Sequence, residues 1–349
     1  MSMVQPLLAK LGARYPIIQA PMGGGTSTPQ LAAAVSNAGG LGSLGLAYDA
    51  PEKMVAEIRA VRALTSNPFQ VNLFIPLEEQ PRVAIEPMLK ALASIYEELG
   101  IEAPTTAPPP WPFAFEQQME VVIEERAAIF SFTFGLLEQR YIDALHARGT
   151  VVIGTATTMA EAEHLAISGV DAIVLQGAEA GAHRGSFLRA ADDMIGLFAL
   201  IPQVALRVQT PVIASGGIMD GRGICAAMAL GAEAVQMGTA FLLTEESGAS
   251  EIHKQAVLAA KPEETQITRA FSGRKARGIR NRFIREVEAA CVEIPAFPIQ
   301  NDLTRAMRRH AAKAGNPDFL SLWSGQNGSL GRRMGAAELV KALVNEAGL

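Results

Sequence analysis

The chain has 349 residues, 49% hydrophobic and 19% charged, with a formal net charge of −5 at pH 7. That size fits one large domain or two smaller ones, the composition excludes disorder, and an acidic balance without a basic tail argues against nucleic acid as the main partner. The two cysteines, Cys225 and Cys291, lie far apart without metal-type spacing, so neither a disulfide scaffold nor a metal site is expected, and a reducing cytoplasm is. The N-terminus lacks a basic segment followed by an apolar one, and no run of about 18 apolar residues suits a membrane span.

Short apolar runs rich in β-formers alternate with helical patterns along most of the chain. Strands are predicted over 16–22, 41–46, 69–75, 128–135, 150–156, 172–177, 211–217 and 234–241. The helices between them carry readable ends. Thr28 before Pro29 is an N-cap with a first-turn proline, and Gly39 stops that helix. Thr158 with Glu161 predicts a capping box, and Gly169 a helix end. Asp220 caps a helix that places Ile224, Ala227 and Met228 on one face and ends at Gly231. Eight strand–helix units in series predict a (β/α)8 TIM barrel; a doubly wound open sheet is the alternative.

A bare barrel takes about 250 residues, which leaves roughly 100 over. Residues 77–115, with a helical stretch around 83–99 and a proline- and aromatic-rich stretch over 104–115, are too long for an ordinary loop. Residues 246 to about 315, helical in pattern, are the second excess. Both follow strand C-termini and so sit over the catalytic face. The predicted division is a barrel of 1–76, 116–245 and 315–349, and an inserted, mostly helical substrate or lid domain of 77–115 and 246–314.

The densest chemistry is Gln176-Gly-Ala-Glu-Ala-Gly-Ala-His183-Arg184-Gly185, directly after the apolar run Ala172 to Leu175. Its glycines let the backbone bend sharply and approach a ligand. Its histidine has an ordinary pKa of about 6.5 and titrates near neutrality. A phosphate site is expected from Ala214-Ser215-Gly216-Gly217-Ile218 and Gln236-Met237-Gly238-Thr239 at the last two strands, where glycines expose backbone N–H groups. Gln19-Ala20-Pro21-Met22 and the three glycines after it could lie along a flat ring. Asn72 interrupts an apolar strand and needs partners, either a flavin edge or a neighbouring backbone. Gln176 and Gln236 pose the same question. A phosphate site rimmed by amides suggests flavin mononucleotide.

With these residues in view the chain resembles the nitronate monooxygenase family, on Gln19 to Gly24, Asn72 with Pro76, Gln176 to Gly185, Ala214 to Ile218, Leu230 to Phe241, Ser272 to Phe283 and Leu322 to Gln326. The similarity runs through nearly the whole chain. It implies an FMN-containing barrel with an added substrate domain. The cofactor would be bound by Gln19, Ala20, Pro21, Met22, Asn72, Gln176, Gly181, Ser215, Gly216, Gly217, Gln236, Met237, Gly238 and Thr239. His183 would be catalytic, with no metal. Many relatives carry glycine where this chain has Ala182. No tyrosine follows Tyr141, whereas relatives favouring propionate 3-nitronate carry tyrosines in the C-terminal pocket.

The implied reaction oxidises a small anionic nitronate with O2 to aldehyde or ketone plus nitrite, through a flavin semiquinone. His183 would orient the anion, offset its charge when protonated, or remove the α-proton of a neutral nitroalkane. A monomer or homodimer is expected, without membrane or nucleic-acid partner. The alternatives are an FMN-dependent NAD(P)H:quinone or enoyl-thioester reductase, an IMP-dehydrogenase-like enzyme, and a flavin- or nucleotide-binding protein without catalysis. The loop after strand six holds His183 and no cysteine, which counts against the second.

Other features read more plainly. His146, His164, His253 and His310 fall in helical stretches as surface or helix-end residues. Arg269, Arg274, Lys275, Arg277, Arg280, Arg282 and Arg285 form a basic run, read as a solvated face with interdomain contacts or as an attractor for an anionic substrate. Cys225 is read as a packing residue. Trp111 is a candidate cover for the flavin.

Overall fold

The computed structural model describes residues 6–76, 84–108, 113–188 and 194–349. Among them the strands are β1 (Ile17–Gln19), β2 (Gly42–Gly45), β3 (Phe69–Phe74), β4 (Ile129–Thr133), β5 (Val151–Ala156), β6 (Ala172–Gln176), β7 (Ala182–His183), β8 (Val212–Ser215), β9 (Ala234–Met237), β10 (Thr265–Thr268) and β11 (Ala276–Ile279). Eight of these form one parallel sheet in the order β1-β9-β8-β6-β5-β4-β3-β2. A parallel bridge between Ile18 and Leu41 joins its two ends, through bonds from Gln19 N to Leu41 O and from Leu41 N to Ile17 O, both 2.9 Å. The sheet is therefore a TIM barrel, and the open-sheet alternative falls.

All eight predicted barrel strands are present, most of them shorter at the C-terminal end. The last turns early because Thr239–Leu242 is a helical turn. Helices Pro29–Asn37, Pro51–Leu64, Phe115–Glu124, Gln139–His146, Met159–Ile167, Leu197–Ala205, Gly221–Ala229 and Ala336–Ala347 surround the barrel. Their caps follow the sequence signals. Thr28 accepts from Leu31 N and Asp220 from Gly223 N. The predicted capping box is only half made. Thr158 accepts from Glu161 N, but the Glu161 carboxylate turns to Thr157 and to the amides of Phe187 and Leu188 instead. Tying down the loop after β6 satisfies more buried donors than the helix end alone would.

Strand alternation sorts the side chains. Leu44, Val71, Phe130, Val152, Ile173 and Val235 face the helices in the main core. Ile18, Leu41, Ile129, Ile153, Ala172, Val174, Ile213 and Ala234 fill the barrel, plugged from below by Leu7 and Leu11 of helix Pro6–Leu11. Each fully buried aliphatic side chain here contributes about 1.5–3 kcal/mol. Two residues beyond this inner apolar layer stand Ala20, Thr155, Gln176, Ser215 and Gln236, so the inner face becomes polar at the C-terminal mouth.

A second apolar cluster lies above that mouth. It packs Met88, Leu92, Ile95 and Tyr96 of helix Glu86–Glu98 against Phe271, Phe283, Leu303, Met307 and Phe319. The stretch after β9 is not only helical. It contains the antiparallel pair β10–β11, and β11 pairs in turn with β7. Cys225 is exposed rather than packed, as is Cys291. Trp111 falls outside the described residues.

Candidate active site

The barrel mouth opens into a cavity holding about 1300 Å³ of empty space, its outlet included. Every sequence-predicted site residue lines it except Gln19. Gln19 is fully buried behind the wall; its amide donates to Ser27 Oγ at 2.9 Å and accepts from Ser43 N at 2.7 Å. It therefore holds the turn that carries Ala20, Pro21 and Met22 to the cavity, instead of reaching it.

The other amides divide by what already occupies them. Asn72 Nδ2 donates to Ser131 Oγ at 2.8 Å, which leaves its carbonyl oxygen without a described donor. Gln176 braces the histidine loop. Its Oε1 accepts from Arg184 Nη1 at 3.0 Å and Gly185 N at 2.9 Å, and its Nε2 donates to His183 O at 3.0 Å. Gln236 and Ser215 line the cavity with side chains bonded to no described group. At the far end the N–H groups of Gly216, Gly217 and Ile218 donate to no described residue. Gly216 and Gly217 hold φ of 136° and 66°, values that glycine adopts without steric cost. Asn327 Nδ2 pins Gly217 O at 2.7 Å, and Thr239 Oγ1 accepts from Gly325 N at 3.0 Å. This end, with unspent amides and no carboxylate lining it, suits a phosphate.

His183 occupies the opposite wall, on β7. Its Nε2 stands 2.8 Å from Ser272 Oγ. Ring centroids of Phe134, Phe297 and Trp323 lie 6.0, 5.9 and 5.6 Å from the imidazole, and Phe74 lies 4.4 Å from Phe134. Burial pushes the imidazole down to about 3, helped by the cations Arg274 and Arg308. The ring is thus neutral at neutral pH. Arg274 lies 3.8 Å over the Phe134 ring and donates to Arg184 O at 3.2 Å and to Ser186 O. Arg277 donates to Ala178 O and Thr265 Oγ1, both at 3.0 Å. The basic run therefore joins the insertion to the histidine loop.

Tyr48, Phe74, Phe134, His253, Trp323 and Asn327 also line the cavity and were not singled out as site residues by the sequence. Tyr48, Phe74 and Phe134 share one signal, a position at or just past the C-terminal end of a barrel strand. His253 stands in the first turn of helix Glu251–Ala259, half-buried. Its Nε2 donates to Trp323 O at 3.0 Å, and burial lowers its pKa to about 4. Among the described residues no cluster of His, Cys, Asp or Glu could hold a metal, and no helix is long and apolar enough to cross a membrane.

Comparison with known proteins places this arrangement. A probable nitronate monooxygenase of Staphylococcus saprophyticus is 43% identical over 342 residues, covering 97% of this chain and 96% of the relative. The crystal structure of nitroalkane oxidase from Streptomyces ansochromogenes superposes with a TM-score of 0.91 at 40% identity, covering 98% of this chain and 97% of that one. FabK from Thermotoga maritima superposes at 0.78 and 29% identity, covering 99% and 97%. The family model described as nitronate monooxygenase matches residues 5–346. The chain belongs to the nitronate monooxygenase family, a family of oxidoreductases.

Proposed function

We propose that the chain binds FMN and oxidises alkyl nitronates, and the nitroalkanes that give rise to them, with O2 to aldehyde or ketone plus nitrite. The observation that carries this reading is a neutral histidine on the aromatic wall of a cavity whose other end is a carboxylate-free set of unspent amides. The residues fit the cofactor. Gly216, Gly217, Ile218, Gly238 and Thr239 would hold the phosphate, and Asn72, Ser215 and Gln236 the polar edges of the ring system, beside Ala20 to Met22. When bound, the flavin supplies the one-electron redox chemistry.

The chain's own residues do the rest. His183 accepts the α-proton of a nitroalkane. A nitronate formed beside it favours the protonated ring, because opposite charges raise a histidine pKa. Arg274 and Arg308 supply the positive field that draws an anion to this wall. Phe74, Phe134, Phe297 and Trp323 exclude water and accept an alkyl chain. The second apolar cluster over the mouth acts as the substrate-side lid. Two exposed, unpaired cysteines suit the cytoplasm.

The test is direct. The cofactor released from purified protein is identified by mass, and nitrite release and O2 uptake are followed with nitroethane and with ethyl nitronate. FMN with nitrite supports the reading. Oxidation of NADH or NADPH with both nitro compounds inert moves the chain to the reductases.

A further inference from the structure

The Ser272 hydroxyl is buried, 1% exposed, and has three polar neighbours. It donates to Arg274 O at 3.1 Å, accepts from Arg274 N at 3.4 Å, and meets His183 Nε2 at 2.8 Å. A hydroxyl has one proton and two lone pairs. The Arg274 carbonyl can only accept and the Arg274 amide can only donate. All three contacts are satisfied together only when the one hydroxyl proton goes to the carbonyl, which leaves a lone pair for His183. In that arrangement Nε2 carries the imidazole proton. Nδ1 is then a bare lone pair with no described hydrogen-bond partner, on a ring that lines the cavity.

The backbone fixes the same geometry. His183 pairs with Ala276 in the β7–β11 ladder, and Ser272 lies in the turn that leads into β11, where Ser272 N and Gly273 N both donate to Arg269 O. Phe134, Phe297 and Trp323 pack around the ring. Rotation that would exchange the two nitrogens is thus opposed both by packing and by loss of the hydroxyl bond.

A bare Nδ1 cannot donate a hydrogen bond to a nitronate oxygen, but it can accept a proton from carbon. We propose that Ser272 is a positioning residue that fixes His183 as its Nε2–H tautomer and thereby suits the enzyme to neutral nitroalkanes. The Cα–H bond breaks, the proton passes to Nδ1, and the electron pair stays on the carbon as the nitronate. The substrate part of this inference rests on the proposed function; the tautomer does not.

The test has two arms. Protein carrying ¹⁵N-labelled histidine is read by NMR, with the His183 signals assigned by their absence in His183→Asn. The wild type should show a protonated Nε2 and a bare Nδ1, Ser272→Thr should match it, and Ser272→Ala should gain an Nδ1–H population. In the second arm the ratio of nitroethane to ethyl nitronate turnover should fall about tenfold or more in Ser272→Ala, a part of the roughly 10²–10⁴-fold that a positioned general base contributes, and be largely restored in Ser272→Thr. A wild-type ring protonated on Nδ1 overturns the proposal, and so does an unaltered turnover ratio in Ser272→Ala. If Ser272→Ala does not fold, the wild-type spectrum and the threonine variant still decide. If neither nitro compound is turned over, the functional reading fails while the spectrum still reports the tautomer.

Discussion

Two residues of the cavity wall hold left-handed backbone that side chains disfavour, Ala182 at φ 63° and Phe134 at φ 83°. Both flank His183, one in the chain and one in space. Backbone strain of this kind costs about 1–2 kcal/mol for an L-residue and persists where surrounding structure over-determines it. Around Ala182 that structure is the pairing of β7 with Arg277 on β11. Ala182→Gly relieves the strain and should stabilise the protein by about 1 kcal/mol, seen as a rise of roughly 1–2 °C in Tm. A lower Tm would show that the methyl group has a packing role outweighing its strain. The two half-buried histidines give a second prediction. His183 and His253 are held at about 3 and 4 when folded, against an ordinary 6.5. Above pH 6.5 both states are neutral and pH has no effect through them. Below it the unfolded chain takes up protons that the folded one refuses, so stability falls toward pH 4 by up to ~1.4 kcal/mol per pH unit for each histidine. Denaturant melts at pH 7 and pH 5 should show a smaller loss in His253→Asn than in the wild type. At this scale the sequence was readable where a polar residue broke an apolar strand. Asn72, Gln176 and Gln236 reach the cavity by that rule, yet Gln19 satisfies the same rule and is turned to Ser27 and Ser43. Alternation accounts for the difference: Ile18 and Ala20 take the inner face, so Gln19 between them takes the other.

The histidine loop is a small assembly of elements held by side chains from elsewhere. Gln176, at the end of β6, makes three bonds to residues 183–185, and Arg184 Nη1 adds one to Gly177 O at 2.7 Å. Glu161, from the preceding helix, accepts from Phe187 N and Leu188 N. Replacing Gln176 by Ala leaves Gly185 N without its acceptor and His183 O without its donor, and should cost about 2 kcal/mol. Because His183 O is one of its partners, the same change should also lower turnover of nitroethane. Denaturation midpoints and nitrite assays on the same samples check both; an active enzyme of wild-type stability would show that the bracing is redundant. The sequence marked this loop by its glycines but did not show what it pairs with. Thr265 to Thr268 and Ala276 to Ile279 make strands of only four residues, within a stretch whose stronger signal is helical. So short a strand becomes visible only through the long-range ladder to β7, and ladders of that kind leave no period in a sequence.

Taken whole, the cavity draws on distant parts of the sequence. Ends of the barrel strands bring the amides and glycines, while Ser272 and Phe297, from the stretch after β9, reach the His183 ring. Trp323 joins them, accepting from His253, bridging to Gly278 and packing its ring near both His183 and Phe271. The barrel was legible because eight apolar runs recur with helix caps between them. That both excess stretches follow strand C-termini was legible too; which side chains join them was not, since the second apolar core ties helix Glu86–Glu98 to residues nearly two hundred positions later. That core has a direct line to the chemistry. Phe271 stacks on Phe283 with centroids 4.5 Å apart, and Phe271 is the neighbour of Ser272. Phe283 lines no part of the cavity and is fully buried. Phe283→Ala should therefore cost about 3–5 kcal/mol through the void it leaves. It should also loosen the turn that presents the Ser272 hydroxyl. If this core acts only as a cover, nitroethane and ethyl nitronate turnover should fall together in this variant at a temperature where it remains folded. If it sets the histidine, the nitroethane rate should fall further than the nitronate rate, because only the former needs a bare Nδ1. Paired assays of the two substrates distinguish a lid from a device that orients the base.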